Sequence, residues 1–217
     1  MLSGMQFGAV VGTYVTALIL FSVLASVGSI VTYIIIVVAN RAEPDPTGRR
    51  TSAILHVGSA FVTLWIQVAG VITIFVTLFA LIGTRDYAYI GPELHPLGDA
   101  TVRGVTLGVL LVLVGTPITR RNRRKAVELA EYDEDPSSPA RRVVRSYAAV
   151  VSFICMFVLV VAALVGLWAV LGFIAPGVYE TGTRTSDLRA LLDVATVLTV
   201  FGWVSSTHRR LVGGRGA

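Results

Sequence analysis

A chain of 217 residues that is 54% hydrophobic, only 14% charged and has a mean hydropathy of +0.76 is not built for water. A soluble domain has about a quarter of its residues charged. The formal net charge of +5 calls for no nucleic-acid partner, because the bases gather where they orient a membrane protein and face anionic headgroups.

Five apolar stretches, at 9–39, 53–83, 101–119, 147–175 and 188–207, each approach or exceed the length of about 20 residues that a bilayer core demands. Lipid leaves no partner for an unpaired backbone amide, and nothing alternates as barrel strands would, so each stretch reads as a helix. The fold class expected is all-α, an integral membrane bundle of five transmembrane helices.

The first span carries no charge, Arg41 being the first ionised residue, and no base precedes it as a secretory signal requires. It is expected to stay in the mature protein as an N-terminal unit, residues 1–40. Gly4, Gly8, Gly12 and Thr16 recur at every fourth position, a small-residue face that lets another backbone come close. Two uses are open for that face: docking a partner protein, or packing on the chain's own second or fourth span.

In the second span His56, Ser59, Thr63 and Gln67, with Gly70, follow steps of three or four and form a polar stripe on one helical face. The stripe either lines a substrate or proton path or supplies hydrogen bonds between helices. The loop at 84–96, with Tyr87 and Tyr89, reads as an aromatic belt or a surface for a specific contact.

The third span ends at Gly115-Thr116-Pro117, where Pro117 is expected to mark a helix end. Beyond it comes the basic cluster Arg120-Arg121-Asn122-Arg123-Arg124-Lys125. A helical extension ending before Pro136 is expected there, with Arg124 and Glu128 one turn apart. Cys155 in the fourth span reads as a buried small residue.

Asp193 is the only acid inside a predicted span, and Arg189 one turn away is its expected ion-pair partner. The pair serves either as an anchor at the membrane edge or as part of an ion path. Asp99 and Arg103 repeat the same spacing where the third span begins.

Fourteen bases occupy the gaps at 40–52 and 120–146 and the C-terminal tail, and the other four, Arg85, Arg103, Arg184 and Arg189, lie in the remaining gaps or at the span ends that border them. By the positive-inside rule the richer side is cytoplasmic, which puts the N-terminus outside and the C-terminus inside. Cutting the chain at the long inner loop exposes two similar units, 49–124 and 141–210. Each opens on paired arginines, runs through a long and then a shorter helix, and closes on a basic cluster. Aligning Gly115 with Gly202 pairs Leu111 with Leu198 and Arg123 with Arg210. Two parallel repeats of this kind are related by an axis near the membrane normal.

The order Gly115-Thr116-Pro117, basic cluster, acidic loop, then Arg141-Arg142 and Arg145-Ser146-Tyr147 entering a long helix resembles a bacterial membrane family catalogued as a domain of unknown function. The resemblance covers roughly residues 49–210. It implies paired transmembrane helices with a Trp and a His near the inner end of the short helix. Trp203 and His208 match in the second unit; the first has Thr116 and Arg121 instead. No activity attaches to the family.

The three histidines lie on separate segments, one cysteine excludes an intrachain disulfide, and no phosphate loop, metal-ligand spacing or nucleophile elbow occurs. The expectation is therefore no enzyme, with no catalytic residues, no metal and no cofactor. Seventeen arginines against one lysine, with abundant Ala, Val and Gly, point to a high-GC bacterium and hence to its plasma membrane. The functional expectation is an accessory subunit of a larger membrane assembly, such as a transporter or an envelope-lipid import complex. Its partners would be membrane lipids and other integral subunits. The alternative is a small transporter or channel acting on its own.

Overall fold

The computed structural model describes residues 47–82, 97–132, 138–175 and 184–212, and among them finds four helices and no strand. These are α1 (Arg49–Phe79), α2 (Leu97–Glu131), α3 (Pro139–Ile174) and α4 (Arg184–Val212). All four are long and apolar enough to cross a membrane, which makes this a multi-pass membrane protein. The predicted first span, with Gly4, Gly8, Gly12 and Thr16, lies outside the described residues, as do Tyr87 and Tyr89.

The surface identifies the solvent. On α3, Phe153 is 74% exposed, and Phe157, Leu164, Trp168 and Ile174 are exposed with it. Water would penalise each of these by about 1.5–3 kcal/mol, whereas hydrocarbon accepts them without cost.

Helix ends fall where local chemistry puts them. Gly48 takes a left-handed φ of 66° ahead of α1, a conformation that costs glycine nothing. At α3 the Ser138 hydroxyl accepts from the Arg141 amide at 3.4 Å, and Pro139 follows at a position where a missing N–H is harmless. Consequently α3 begins two turns before the predicted span.

One expectation fails in α2. Pro117 does not end the helix but lies inside it, and the backbone continues to Glu131. The carbonyl that proline leaves without its amide is tolerated in a membrane helix whose neighbours and local geometry take up the strain. The extension then carries Arg124 and Glu128 at 3.8 Å on an exposed face.

The helices pair first as antiparallel hairpins, α1 with α2 and α3 with α4. The α1/α2 register is read from Thr63 and Gln67 against Gly115, Gly70 against Gly108, and Thr77 against Gly104. Smaller contacts join α1 to α3, α1 to α4 and α2 to α3, so α1 and α3 form the short diagonal of the bundle. Burial concentrates at the end where the basic clusters lie: Ala53, Val57 and Ala60 of α1 meet Val143, Tyr147 and Val151 of α3, with Phe201 and Val204 of α4. Cys155 is fully buried in this core as a free thiol.

Candidate functional site

The α1/α2 seam brings backbones together. A Cβ on Gly70 would lie 2.7 Å from the Gly108 carbonyl oxygen and 2.8 Å from Leu111 Cβ; one on Gly108 would lie 2.6 Å from Ile74 Cγ1. Gly104 is as close to Thr77, at 2.7 Å. Only glycine fits such an approach, and dispersion between the two backbones is the main attraction left once lipid surrounds the helices.

Polar side chains fill the same seam. The Thr119 hydroxyl donates to Thr63 Oγ1 at 2.8 Å, and Thr63 in turn donates to the Ser59 carbonyl at 2.8 Å. Nearer the basic end, Asn122 donates from its amide nitrogen to the Ile118 carbonyl at 3.0 Å, which turns its oxygen toward His56; the His56 Nδ1–H donates to that oxygen at 2.9 Å. Gln67 meets Gly115 through its Cβ and backbone nitrogen, at 3.2 Å from a Cβ placed there. Of the stripe, His56, Thr63 and Gln67 therefore meet α2, while Ser59 contributes its backbone carbonyl to Thr63 within α1. Two of the stripe's hydrogen bonds, His56 to Asn122 and Thr119 to Thr63, run between helices, each worth about 0.6 kcal/mol on average.

A second cluster lies across α1, α3 and α4. His208 is 3% exposed, and its Nδ1 stands 2.8 Å from the Val204 carbonyl. A carbonyl only accepts, so Nδ1 carries the proton, and in the neutral ring Nε2 accepts from the Tyr147 hydroxyl at 3.1 Å. Tyr147 stacks edge-on against Phe61, Phe61 against Trp65, and Trp65 tilts over Phe201. Each such aromatic pair contributes about 0.5–1.5 kcal/mol beyond its buried area.

At the opposite end of the bundle the Arg189 guanidinium donates to the Ile82 carbonyl, with Nε at 2.6 Å and Nη2 also in contact. Arg189 thereby closes the end of α1 from α4, and its charge also acts on Asp193 one turn away on α4. The carbonyl is an unsatisfied acceptor just beyond the last turn of a helix, which attracts a guanidinium. One oxygen of Asp193, Oδ1, is buried without a hydrogen-bond partner. The side chain of Asp99 lies outside the described residues, so its expected pair with Arg103 does too.

A small apolar cleft, with room for about one water molecule, lies where α1, α2 and α3 meet, lined by Val57 and Ala60, Arg123 and Val127, and Val144 and Tyr147. No three metal-ligating side chains converge among the described residues.

Reading the sequence missed three of these features. The Gly104/Gly108 spacing is a small-residue pair within a predicted span and was visible in principle; Asn122 is the one uncharged residue in the basic cluster. The partnership of Tyr147 with His208 has no sequence signal, because the two lie 61 residues apart.

No protein-family model, curated protein or solved structure matches this chain.

Proposed function

We propose that the chain is a non-catalytic accessory or structural subunit of a larger assembly in a bacterial plasma membrane, with its basic end in the cytoplasm. A transporter or an envelope-lipid import complex is the kind of assembly it would serve. One observation carries the reading: two polar pairs join α1 to α2, His56 with Asn122 and Thr63 with Thr119. Groups engaged in this way give cohesion, whereas a path needs polar groups free to exchange partners with a substrate. The two hairpins act in this reading as similar helical units, and the first span supplies a further packing face.

A second reading, transport by the chain alone, is favoured by the buried and unpartnered oxygen of Asp193. An intramembrane carboxylate with spare acceptor capacity is the residue type that carries protons or cations.

The test is purification from native membranes in mild detergent, with the tag at the chromosomal locus, followed by mass spectrometry of the retained proteins. A fixed set of other integral subunits supports the accessory role. Recovery of the chain with lipid alone moves transport to the front.

A further inference from the structure

We propose that Asp193 is a proton-binding site inside the bundle, its carboxyl held as the neutral acid, and that an apolar carbodiimide therefore modifies it. The proposal rests on the carboxyl of the second reading and names its ligand, and it holds whether or not transport follows. Three observations carry it. First, the carboxyl is remote from the charged ends of its own helix. Asp193 lies roughly 13 Å along α4 from Arg184 and roughly 24 Å from Arg209. Its Oδ1 is buried and receives no hydrogen bond among the described residues. On either side of it α4 turns into the bundle: Arg189, one turn earlier, reaches the Ile82 carbonyl beyond α1, and Val194 packs on α3, where a Cβ on Gly166 would lie 2.9 Å from it.

Second, the helices packed on α4 offer the ionised form nothing. These are α3 and α1. From Thr51 to Phe79 the titratable side chain of α1 is His56, and from Ser146 to Ile174 those of α3 are Tyr147 and Cys155, all three in the half of the bundle nearer the basic end. On α4 itself Arg184 and Asp187 lie toward the helix start and His208 toward the basic end, and the charge that acts on Asp193 is that of Arg189. Two of the donors of Arg189, Nε and Nη2, are taken up by the Ile82 carbonyl.

Third, α4 supplies what the protonated form needs. A carboxylate calls for several donors, whereas a neutral carboxyl calls for one acceptor for its O–H. Thr196 and Thr199 on the same helix donate to the carbonyls of Leu192 and Ala195, four residues back, at 3.0 and 2.8 Å. The Arg189 carbonyl holds the same place relative to Asp193 and can take the acid proton. That proton removes the charge that burial penalises. A metal cation in its place would need several oxygen ligands, and the facing segments of α1 and α3 carry no second acid.

The experiment treats the full chain in mild detergent at neutral pH with dicyclohexylcarbodiimide and locates the adduct by peptide mass spectrometry. The reagent takes the carboxyl proton on one nitrogen while the carboxylate oxygen adds to its central carbon. The O-acylisourea so formed rearranges to an N-acylurea, and the whole mass of the reagent stays on the residue. Labelling of Asp193 is expected to run about tenfold or more above that of Glu128, an exposed carboxyl beside Arg124, and to fall as pH is raised. Arg189→Gln should label as the wild type does. The difference infrared spectrum between wild type and Asp193→Asn reads the same group without a reagent, and is expected to show the carbonyl stretch of a protonated carboxyl at neutral pH. Absence of that band would overturn the site. So would labelling that appears only in Arg189→Gln, because an ion pair then keeps Asp193 ionised. Proton flux into liposomes carrying the chain tests transport separately: the band without flux supports the site and ends the transport reading.

Discussion

The Tyr147 hydroxyl donates to Nε2 of His208 at 3.1 Å while His208 Nδ1 donates to the Val204 carbonyl at 2.8 Å, so both ring nitrogens of a buried imidazole are satisfied. The bond ties α3 to α4 at the basic end, where burial is greatest, and the tyrosine ring carries the contact on to Phe61 of α1.

Tyr147→Phe retains the ring and removes the donor. It is expected to destabilise the bundle by about 1–3 kcal/mol, the cost of leaving a buried acceptor unpaired. Combining Tyr147→Phe with His208→Leu should cost less than the two single changes added together, because neither partner is then left stranded. Thermal unfolding in one detergent measures all four proteins; strict additivity would mean that the two residues are not coupled.

The glycine seam predicts a contrast between α2 and α4. Gly108→Ala places a methyl 2.6 Å from Ile74 Cγ1 and 2.7 Å from the Gly70 carbonyl oxygen, so α1 and α2 must separate, at an expected cost of about 1–3 kcal/mol. A Cβ on Gly202 meets nothing within 4 Å. Gly202→Ala should therefore be neutral or stabilising by up to about 1 kcal/mol, from helix propensity alone. Equal destabilisation by the two changes would contradict the packing described. Gly115 and Gly202, which align in sequence, also differ in surroundings, since Gly115 abuts Thr63 and Gln67.

His56→Leu and Asn122→Leu test what the polar stripe is for. Each alone should destabilise by roughly 0.6–1.7 kcal/mol, and the double replacement should recover part of the loss. Cells carrying the double variant should keep the assembly and its phenotype. Loss of phenotype with normal protein levels would show that these groups do more than hold helices together.

Asp193→Asn keeps the volume of the side chain and removes its charge. The accessory role predicts normal protein levels and an unchanged phenotype; complete loss of function with normal levels would favour ion transport through α4.

Much of the architecture was legible because lipid imposes blunt rules. Four of the five apolar stretches are helices in the described residues, and His56 and Thr63, placed on one face by their spacing, both hydrogen-bond to α2. Helix ends were less legible. Hydropathy marks where hydrocarbon stops, near Thr119, while the Arg124/Glu128 spacing and Pro136 already pointed to the extension that runs to Glu131, where Ala126 and Ala130 remain buried and Arg141 reaches back to the Ala130 carbonyl at 3.3 Å. Pro117 misled, since whether a proline ends a membrane helix depends on neighbours that sequence spacing does not contain. Partners were the least legible of all. Spacing along one helix places His56 and Thr63 on a face, but only the antiparallel register of α1 and α2 selects Asn122 and Thr119 to meet them, and only tertiary packing turns Arg189 to Ile82.

The most direct measurement of the central claim is the mass at which the native protein migrates, extracted from its own membrane in mild detergent and run beside the purified 23.1 kDa chain on a native gel. The accessory role predicts a discrete species well above the purified chain, resolving into a constant set of other subunits in a denaturing second dimension. Co-migration with the purified chain, with no other protein present, would contradict it.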